Sequence, residues 1–244
     1  MFSLAKAEFL YEPYPICYAG DVFSASDYAL LTATYPDVSA FAHMPKLGDK
    51  YSLSERNNPA QYKAFIASQP LWAKLHAHFK SKSFIEETLE FLGRHNIDLG
   101  LGEYRFTNVA GAKRSGVVSR LTGRPELSAR FEFSMMGGQG GHILPHTDDH
   151  RKLITLVFSM NKMGEWDDSW GGGTQMCWPK DRTKIYNHTN KYLEFGEVDV
   201  LKSFDFKPNQ CILFIKTYNS WHQVAPIQAP IGSPLRKTLT VNIE

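Results

Sequence analysis

The sequence is poor in cysteine, with three in 244 residues, and Cys17, Cys177 and Cys211 form no CxxC pair and leave an odd count. That argues against a disulfide framework, and since two of the three lie in apolar, strand-like runs, the expectation is buried, reduced thiols in a cytosolic protein. Long hydrophobic runs are also missing. None approaches the ~20 consecutive apolar residues of a membrane span, and no cationic leader followed by an apolar stretch opens the chain. The chain is therefore expected to be soluble and cytoplasmic, with no membrane partner. Charge of either sign is not in excess: the formal net charge is +2 and the pI about 8.3. With no interleaving of aromatic and basic residues and no extended charged stripe, a nucleic-acid partner is not expected.

What is present divides the chain in two. A single domain of 1–244 is expected, with a helical and loop elaboration over 1–126 and a β core over 127–244, because a chain of this length can bury one full core. Residues 1–23, rich in proline and tyrosine, suit a surface wrap or an edge strand. Ser24 or Ser26 caps a short helix that Pro36 ends. Residues 37–58 carry much Gly, Pro, Ser and Asp with little periodicity, and read as a long loop of the sort that overhangs sites. Three helices follow: 59–67, 70 to about 80 with Pro70 in its first turn, and 83–94, where Ser83 and Glu86 have capping-box spacing. The last presents Phe84, Ile85, Leu89 and Leu92 as one apolar stripe. His76 and His78 in this block read as core-edge or solvated histidines. A short strand at 104–107 precedes a Gly-rich loop, 110–126, whose Lys113, Arg114, Arg120 and Arg124 form either a solvated surface or an attractor for an anionic substrate.

From residue 127 onward eight strand-like segments are spaced by turn residues: about 128–136, 141–147, 152–160, 173–178, 197–206, 211–216, 221–226 and 235–243. Eight short strands suggest a jelly roll of two antiparallel sheets with a mouth between them. In the first segment Arg130, Glu132 and Ser134 alternate with Ala129, Phe131, Phe133 and Met135. In the last, Arg236, Thr238, Thr240 and Asn242 alternate with Leu235, Leu239, Val241 and Ile243. A face of charges is costly to bury in an ordinary core, so the polar faces are expected to line a wet cavity and the apolar faces to lie under the helices. Lys237, on the apolar side, must reach out to water.

His146 and Asp148 stand two apart at what reads as a strand end, where alternate side chains share a face and can grip one ion. His222, in Asn-Ser-Trp-His-Gln-Val, can complete a two-histidine, one-carboxylate face that leaves three metal positions open. The same triad also suits catalytic zinc in a hydrolase, or a metal-binding cupin with no co-substrate. Asp149 and His150 adjoin the motif, but Asp149 points to the opposite strand face.

His146-Thr147-Asp148, His222 and Arg236 together resemble the HxD…H…R pattern of the iron(II)- and 2-oxoglutarate-dependent dioxygenases, a resemblance covering about residues 127–244. Arg236 lies fourteen residues beyond His222 and shares a face with Thr238, so Arg-Lys-Thr resembles the family's Arg-x-Ser variant. Trp170-Gly-Gly-Gly-Thr resembles the glycine-rich lead-in to the fourth core strand. The long stretch 179–196 departs from a minimal core and leaves the register there open. The resemblance implies a mainly β fold with α additions, a double-stranded β-helix (jelly roll, cupin-like) core with N-terminal helices on the outer sheet face. It implies His146, Asp148 and His222 as iron(II) ligands, Arg236 and Thr238 as the seat of the distal carboxylate of 2-oxoglutarate, and dioxygen as the oxidant, with succinate and CO2 released. A guanidinium fork suits such a carboxylate, which argues against the bare cupin, while a requirement for iron(II) and 2-oxoglutarate together distinguishes the oxygenase from the zinc hydrolase.

Halogenation is rejected because Asp148 is present, while desaturation and ring closure use the same iron. Hydroxylation of a C–H bond in a small molecule is the expected reaction, and prolyl-hydroxylase-like modification of a protein or peptide side chain the alternative. Arg130 and Trp170 are candidate substrate contacts. The alternative for Arg130 is an ion pair with Glu132, and for Trp166 and Trp170 it is loop packing beside Glu165, Asp167 and Asp168. Asn108, Gln139 and Trp221 are better explained by packing or loop satisfaction. Oligomeric state is not legible.

Overall fold

The computed structural model describes residues 2–108 and 125–244. In chain order they form β1 (Glu8–Leu10), β2 (Ile16–Ala19), α1 (Ala25–Ala33), β3 (Ala42–Met44), β4 (Lys50–Ser54), α2 (Pro59–Ser68), α3 (Pro70–Phe79), α4 (Lys82–Arg94), β5 (Arg105–Phe106) and β6 (Glu126–Leu127). The core strands follow: β7 (Ala129–Met136), β8 (Ile143–His146), β9 (Ile154–Ser159), β10 (Thr174–Pro179), β11 (Val198–Phe204), β12 (Cys211–Ile215), β13 (His222–Val224) and β14 (Arg236–Ile243). The larger sheet runs β1-β2-β12-β9-β14-β7-β4-β3 and the smaller β11-β10-β13-β8. From β7 to β14 the chain passes back and forth between the two sheets, with β10 and β11 paired in the smaller one, and all eight expected core strands are found.

The face alternation of β7 decides how the layers stack. Phe131 and Phe133 leave the sheet on its outer side and meet the helices: Phe133 lies 4.9 Å from the Trp72 ring and 5.3 Å from Phe65, and Phe79 packs on both Phe131 and Phe158. All of these rings but the partly buried Phe65 are fully buried, and each such side chain contributes about 1.5–3 kcal/mol by leaving water. Ser24 caps α1 by accepting from the Asp27 amide. In α4 the cap is Ser81, accepting from the Phe84 amide, and not Ser83, whose hydroxyl instead meets that of Ser81. Glu86, expected in a capping box, pairs with Lys82 one turn back.

Residues 37–58 are not one long loop. β3 and β4 add two strands to the large sheet, with β4 pairing along β7 from Lys50 opposite Met136 to Ser54 opposite Glu132. Ser52, one of the polar residues that make this stretch read as loop, serves a buried carboxylate. Glu132 receives Lys50 Nζ at 2.8 Å, Ser52 Oγ at 2.9 Å and Arg130 Nη1 at 2.6 Å. The polar face of β7 therefore splits, because one end closes into ion pairs that also join Arg130 and Arg56 to Glu244 while the other end is open. Lys237 ends on Glu165 Oε1 at 2.7 Å rather than in open water.

Across the 179–196 stretch, β10 and β11 keep register from Thr174 opposite Phe204 to Pro179 opposite Val198, with one irregularity between Met176 and Cys177. All three cysteines are buried and unpaired, and among the described residues no helix is long and apolar enough to cross a membrane. The basic residues Lys113, Arg114, Arg120 and Arg124 lie outside the described residues.

Burial pushes the Glu132 carboxyl up, but Lys50, Arg130 and the hydroxyl of Ser52 together hold it far below its ordinary 4.5. A depressed carboxyl stabilises the fold above its ordinary value and loses that contribution as pH falls. Glu132→Gln is expected to cost about 3–5 kcal/mol at pH 7 in urea unfolding, and the gap to wild type should shrink on acidification below pH 4.5. Equal stability at pH 7 would mean the cluster contributes nothing.

Candidate metal centre and its cavity

β13 and β8 pair antiparallel with His222 directly opposite His146, which brings two imidazoles from distant stretches to 4.3 Å between centroids. Each ring spends Nδ1 on the main-chain carbonyl two residues upstream, His146 on Leu144 at 2.9 Å and His222 on Ser220 at 2.8 Å. A carbonyl only accepts, so both Nδ1 atoms carry the proton and both Nε2 lone pairs are left for another partner. Asp148 does not arrive by strand alternation, because the chain leaves β8 at His146 and passes through a left-handed backbone (φ +69°) at Asp148. Aspartate tolerates that region better than most residues. The turn sets Oδ1 at 3.5 Å from His146 Nε2 and Oδ2 at 3.9 Å from His222 Nε2. Ligand atoms of all three lie within 4.8 Å of one another, and this is the metal-capable group among the described residues.

The electrostatics suit a cation. Burial pushes Asp148 up, yet Lys152 and the two histidines hold it well below the usual carboxylate range, so it is ionised. Burial, with His146 alongside, pushes His222 down to about 3 and keeps it neutral. Lys152 and Thr155 were not anticipated from the sequence. The first donates to Asp148 Oδ1 at 2.5 Å, the second to Oδ2 at 3.1 Å.

The cavity between the sheets has a volume of about 560 Å³ and is lined by the triad, Ser134, Arg236, Thr238 and Thr240 from the large sheet, and Tyr192. Arg236 is 4% exposed and, among the described residues, pairs with no carboxylate. Its Nε donates to the Gly172 carbonyl and its guanidinium lies 4.4 Å over the Phe206 ring. Burial pushes it down to about 9, which still leaves it charged at neutral pH. Arg236 is thus a buried cation that lines the cavity together with Thr238, an arrangement chemically suited to a carboxylate.

Other candidates are placed elsewhere. Arg130 is held by Glu132 and Glu244 and is not part of the cavity lining. Trp170 packs edge-on against Trp166, whose other neighbour is Phe206, so these tryptophans support the ring beneath Arg236 and do not reach the cavity. Asp149 turns to Arg151, with His150 beside it. Trp221 is buried and donates to the Ile185 carbonyl, Gln139 bridges to Gln228, and Asn108 is exposed. Tyr192 was unforeseen: it comes from the 179–196 stretch and stacks on His146 at 5.4 Å. No sequence signal within that stretch marks it.

Residues 131–244 match the family described as the 2OG-Fe(II) oxygenase superfamily. The match spans nearly all of the jelly-roll core, which is similar to that superfamily. Its members use iron(II), 2-oxoglutarate and dioxygen, and the donor set and the unpaired guanidinium fit those groups. Among solved structures, a prolyl hydroxylase from Trichoplax adhaerens in complex with a hypoxia-inducible-factor peptide is similar at 11% identity, covering 93% of this chain and 82% of that one, with a TM-score of 0.50. A prolyl 4-hydroxylase from Phytophthora capsici is similar at 17% identity, 94% of this chain and 58% of that one, with a TM-score of 0.54. The epimerase SnoN from nogalamycin biosynthesis also matches, at 10% identity over 93% of this chain and 75% of that one, with a TM-score of 0.49. No curated protein matches the chain in sequence. At these identities the likeness to the solved structures concerns the fold.

The glycine-rich lead-in to β10 cradles Arg236. Gly172 has φ +82°, and a Cβ there would meet Trp166 at 3.0 Å and the Arg236 side chain at 3.2 Å. Gly172→Ala is therefore expected to cost about 1–3 kcal/mol in urea unfolding. A loss below the error of the titration would show that the cradle yields freely.

Proposed function

We propose that the protein is an iron(II)- and 2-oxoglutarate-dependent oxygenase in which His146, Asp148 and His222 hold the iron and Arg236 with Thr238 hold the distal carboxylate of 2-oxoglutarate, and that it hydroxylates a C–H bond of a small molecule. The observation that carries this reading is Arg236: a buried, unpaired guanidinium opening on the same cavity as the His-Asp-His cluster. A zinc hydrolase or a bare metal-binding cupin has no use for it. Bound iron(II) and 2-oxoglutarate would supply the activation of dioxygen, with succinate and CO2 as co-products.

The residues' own tasks follow from their contacts. Leu144 and Ser220 carbonyls hold both imidazoles in the tautomer that presents Nε2 to the metal. Thr155 orients Asp148 by donating to Oδ2. Gly172 and Phe206 fix the guanidinium plane, leaving its two outer nitrogens for one carboxylate. Val157, Phe214, Leu144 and Val224 supply apolar wall that keeps bulk water from the reacting atoms. Tyr192 and Asn190 stand on the same wall as candidate substrate contacts. A cavity of about 560 Å³ falls in the ordinary range for small-molecule sites and supports a free small molecule as substrate.

The test is release of succinate and uptake of oxygen, expected only when iron(II) and 2-oxoglutarate are both supplied, across a panel of amino acids, other small metabolites and proline-containing peptides. Turnover with zinc alone would sink the assignment, and coupled turnover with peptides alone would move the substrate to a protein side chain. His146→Ala should lose metal binding. Arg236→Ala should keep metal but raise the Kd for 2-oxoglutarate at least tenfold, about what loss of a charge-assisted hydrogen-bond pair costs. Equal affinity in wild type and Arg236→Ala would remove the arginine from this role.

A further inference from the structure

The Asp148 carboxylate is engaged on both oxygens before any metal is considered. Lys152 Nζ lies 2.5 Å from Oδ1, and Oδ1 is also the oxygen 3.5 Å from His146 Nε2. The ammonium therefore sits on the atom that an ion shared with His146 would claim. This contact is built into the chain path. The Lys152 amide donates to the Asp149 carbonyl at 3.1 Å, closing a turn that folds the lysine back over Asp148 just before β9 begins. The pair is largely sequestered, with side-chain exposures of 17% for Lys152 and 7% for Asp148. Among the described residues Asp148 is the carboxylate within ion-pair reach of Lys152, and Lys152 itself lines the cavity.

Two cations at one carboxylate oxygen repel, and in a sequestered pocket solvent and salt screen that repulsion weakly. A buried carboxylate with no cation at all is also unfavourable. Both conditions are met if one cation replaces the other.

We propose that Lys152 is the resident counter-ion of the metal-free centre, so that metal binding is an exchange of cations at Asp148 and Lys152 holds the affinity for divalent metal down. This rests on the reading of His146, Asp148 and His222 as metal ligands. In the metal-free protein the ammonium compensates the carboxylate's charge while the carboxylate stays aimed at the two imidazoles. On loading, the contact with Oδ1 is given up and the ammonium moves along the cavity wall.

The experiment is calorimetric titration of chelator-stripped protein with Mn(II), an ion that binds such donors, in wild type, Lys152→Met and His146→Ala, with no 2-oxoglutarate present. The expected result is one-to-one binding in wild type, its loss in His146→Ala, and a Kd at least tenfold tighter in Lys152→Met. Thermal unfolding gives a second readout, the gain in Tm on saturating Mn(II), that a merely structural lysine would not move. Lys152→Met should be less stable than wild type without metal and should gain more in Tm from saturating Mn(II). Lys152→Gln is expected to behave alike and serves if the methionine variant does not fold. A Kd unchanged or weaker in the lysine variants, with wild type binding and His146→Ala not, overturns the exchange and leaves the ligand assignment standing. Absence of one-to-one binding in wild type overturns both.

Discussion

The pairing of β13 with β8 is the contact on which the centre depends. Side chains alternate across a strand with a period of two, so a slip of one residue would turn His222 to the other face of the sheet and separate it from His146. With the observed register the rings are neighbours, and each uses its own chain's carbonyl, two residues back, to fix which nitrogen carries the proton. The third member comes from a different device. Asp148 leaves the strand through a left-handed backbone, so its carboxylate is swung into the gap by a turn. Register, tautomer and turn together convert three ordinary side chains into a site for one cation.

Compensation of buried charge then divides the space between the sheets. At one end of β7, Glu132 is met by Lys50, Arg130 and Ser52, and the charges close on themselves. At the start of β14, Arg236 is met by a carbonyl and an aromatic ring but by no carboxylate, and the cavity lies there. Satisfied ions can be packed shut, whereas an uncompensated guanidinium is tolerable only where water or an anionic ligand reaches it. The two strands that differ in this respect lie side by side in one sheet, with Arg236 opposite Met136 and Asn242 opposite Arg130. Closed floor and open pocket are therefore two ends of one polar stripe.

Much of this was legible in the sequence because it is written in period-two alternation and local turn chemistry. All eight core strands were anticipated, along with the helices over 59–94 and the coming together of residues 146, 148 and 222. β4 was not, because Lys-Tyr-Ser-Leu-Ser has polar inner-face residues whose purpose is a carboxylate on a neighbouring strand. The Ser83 cap failed for a related reason: two serines two apart can both cap, and the choice of Ser81 depends on where the preceding helix delivers the chain. Arg130 and Trp170, expected as substrate contacts, lie outside the cavity lining, because a charge or an indole near an expected mouth is chemically plausible whichever way its side chain points.

The sequence by itself determined which residues face inward, which helices cover the outer sheet and which donor types lie within a few residues of a strand end, since these follow from backbone geometry acting over short distances. Only the tertiary structure decided which inward charges neutralise each other and which face the cavity, that Lys152 rests on Asp148, and that Tyr192 reaches His146 from a stretch with no regular pattern. Those contacts join residues whose separation along the chain carries no information about their separation in space, and Coulomb interaction and packing respond only to the latter.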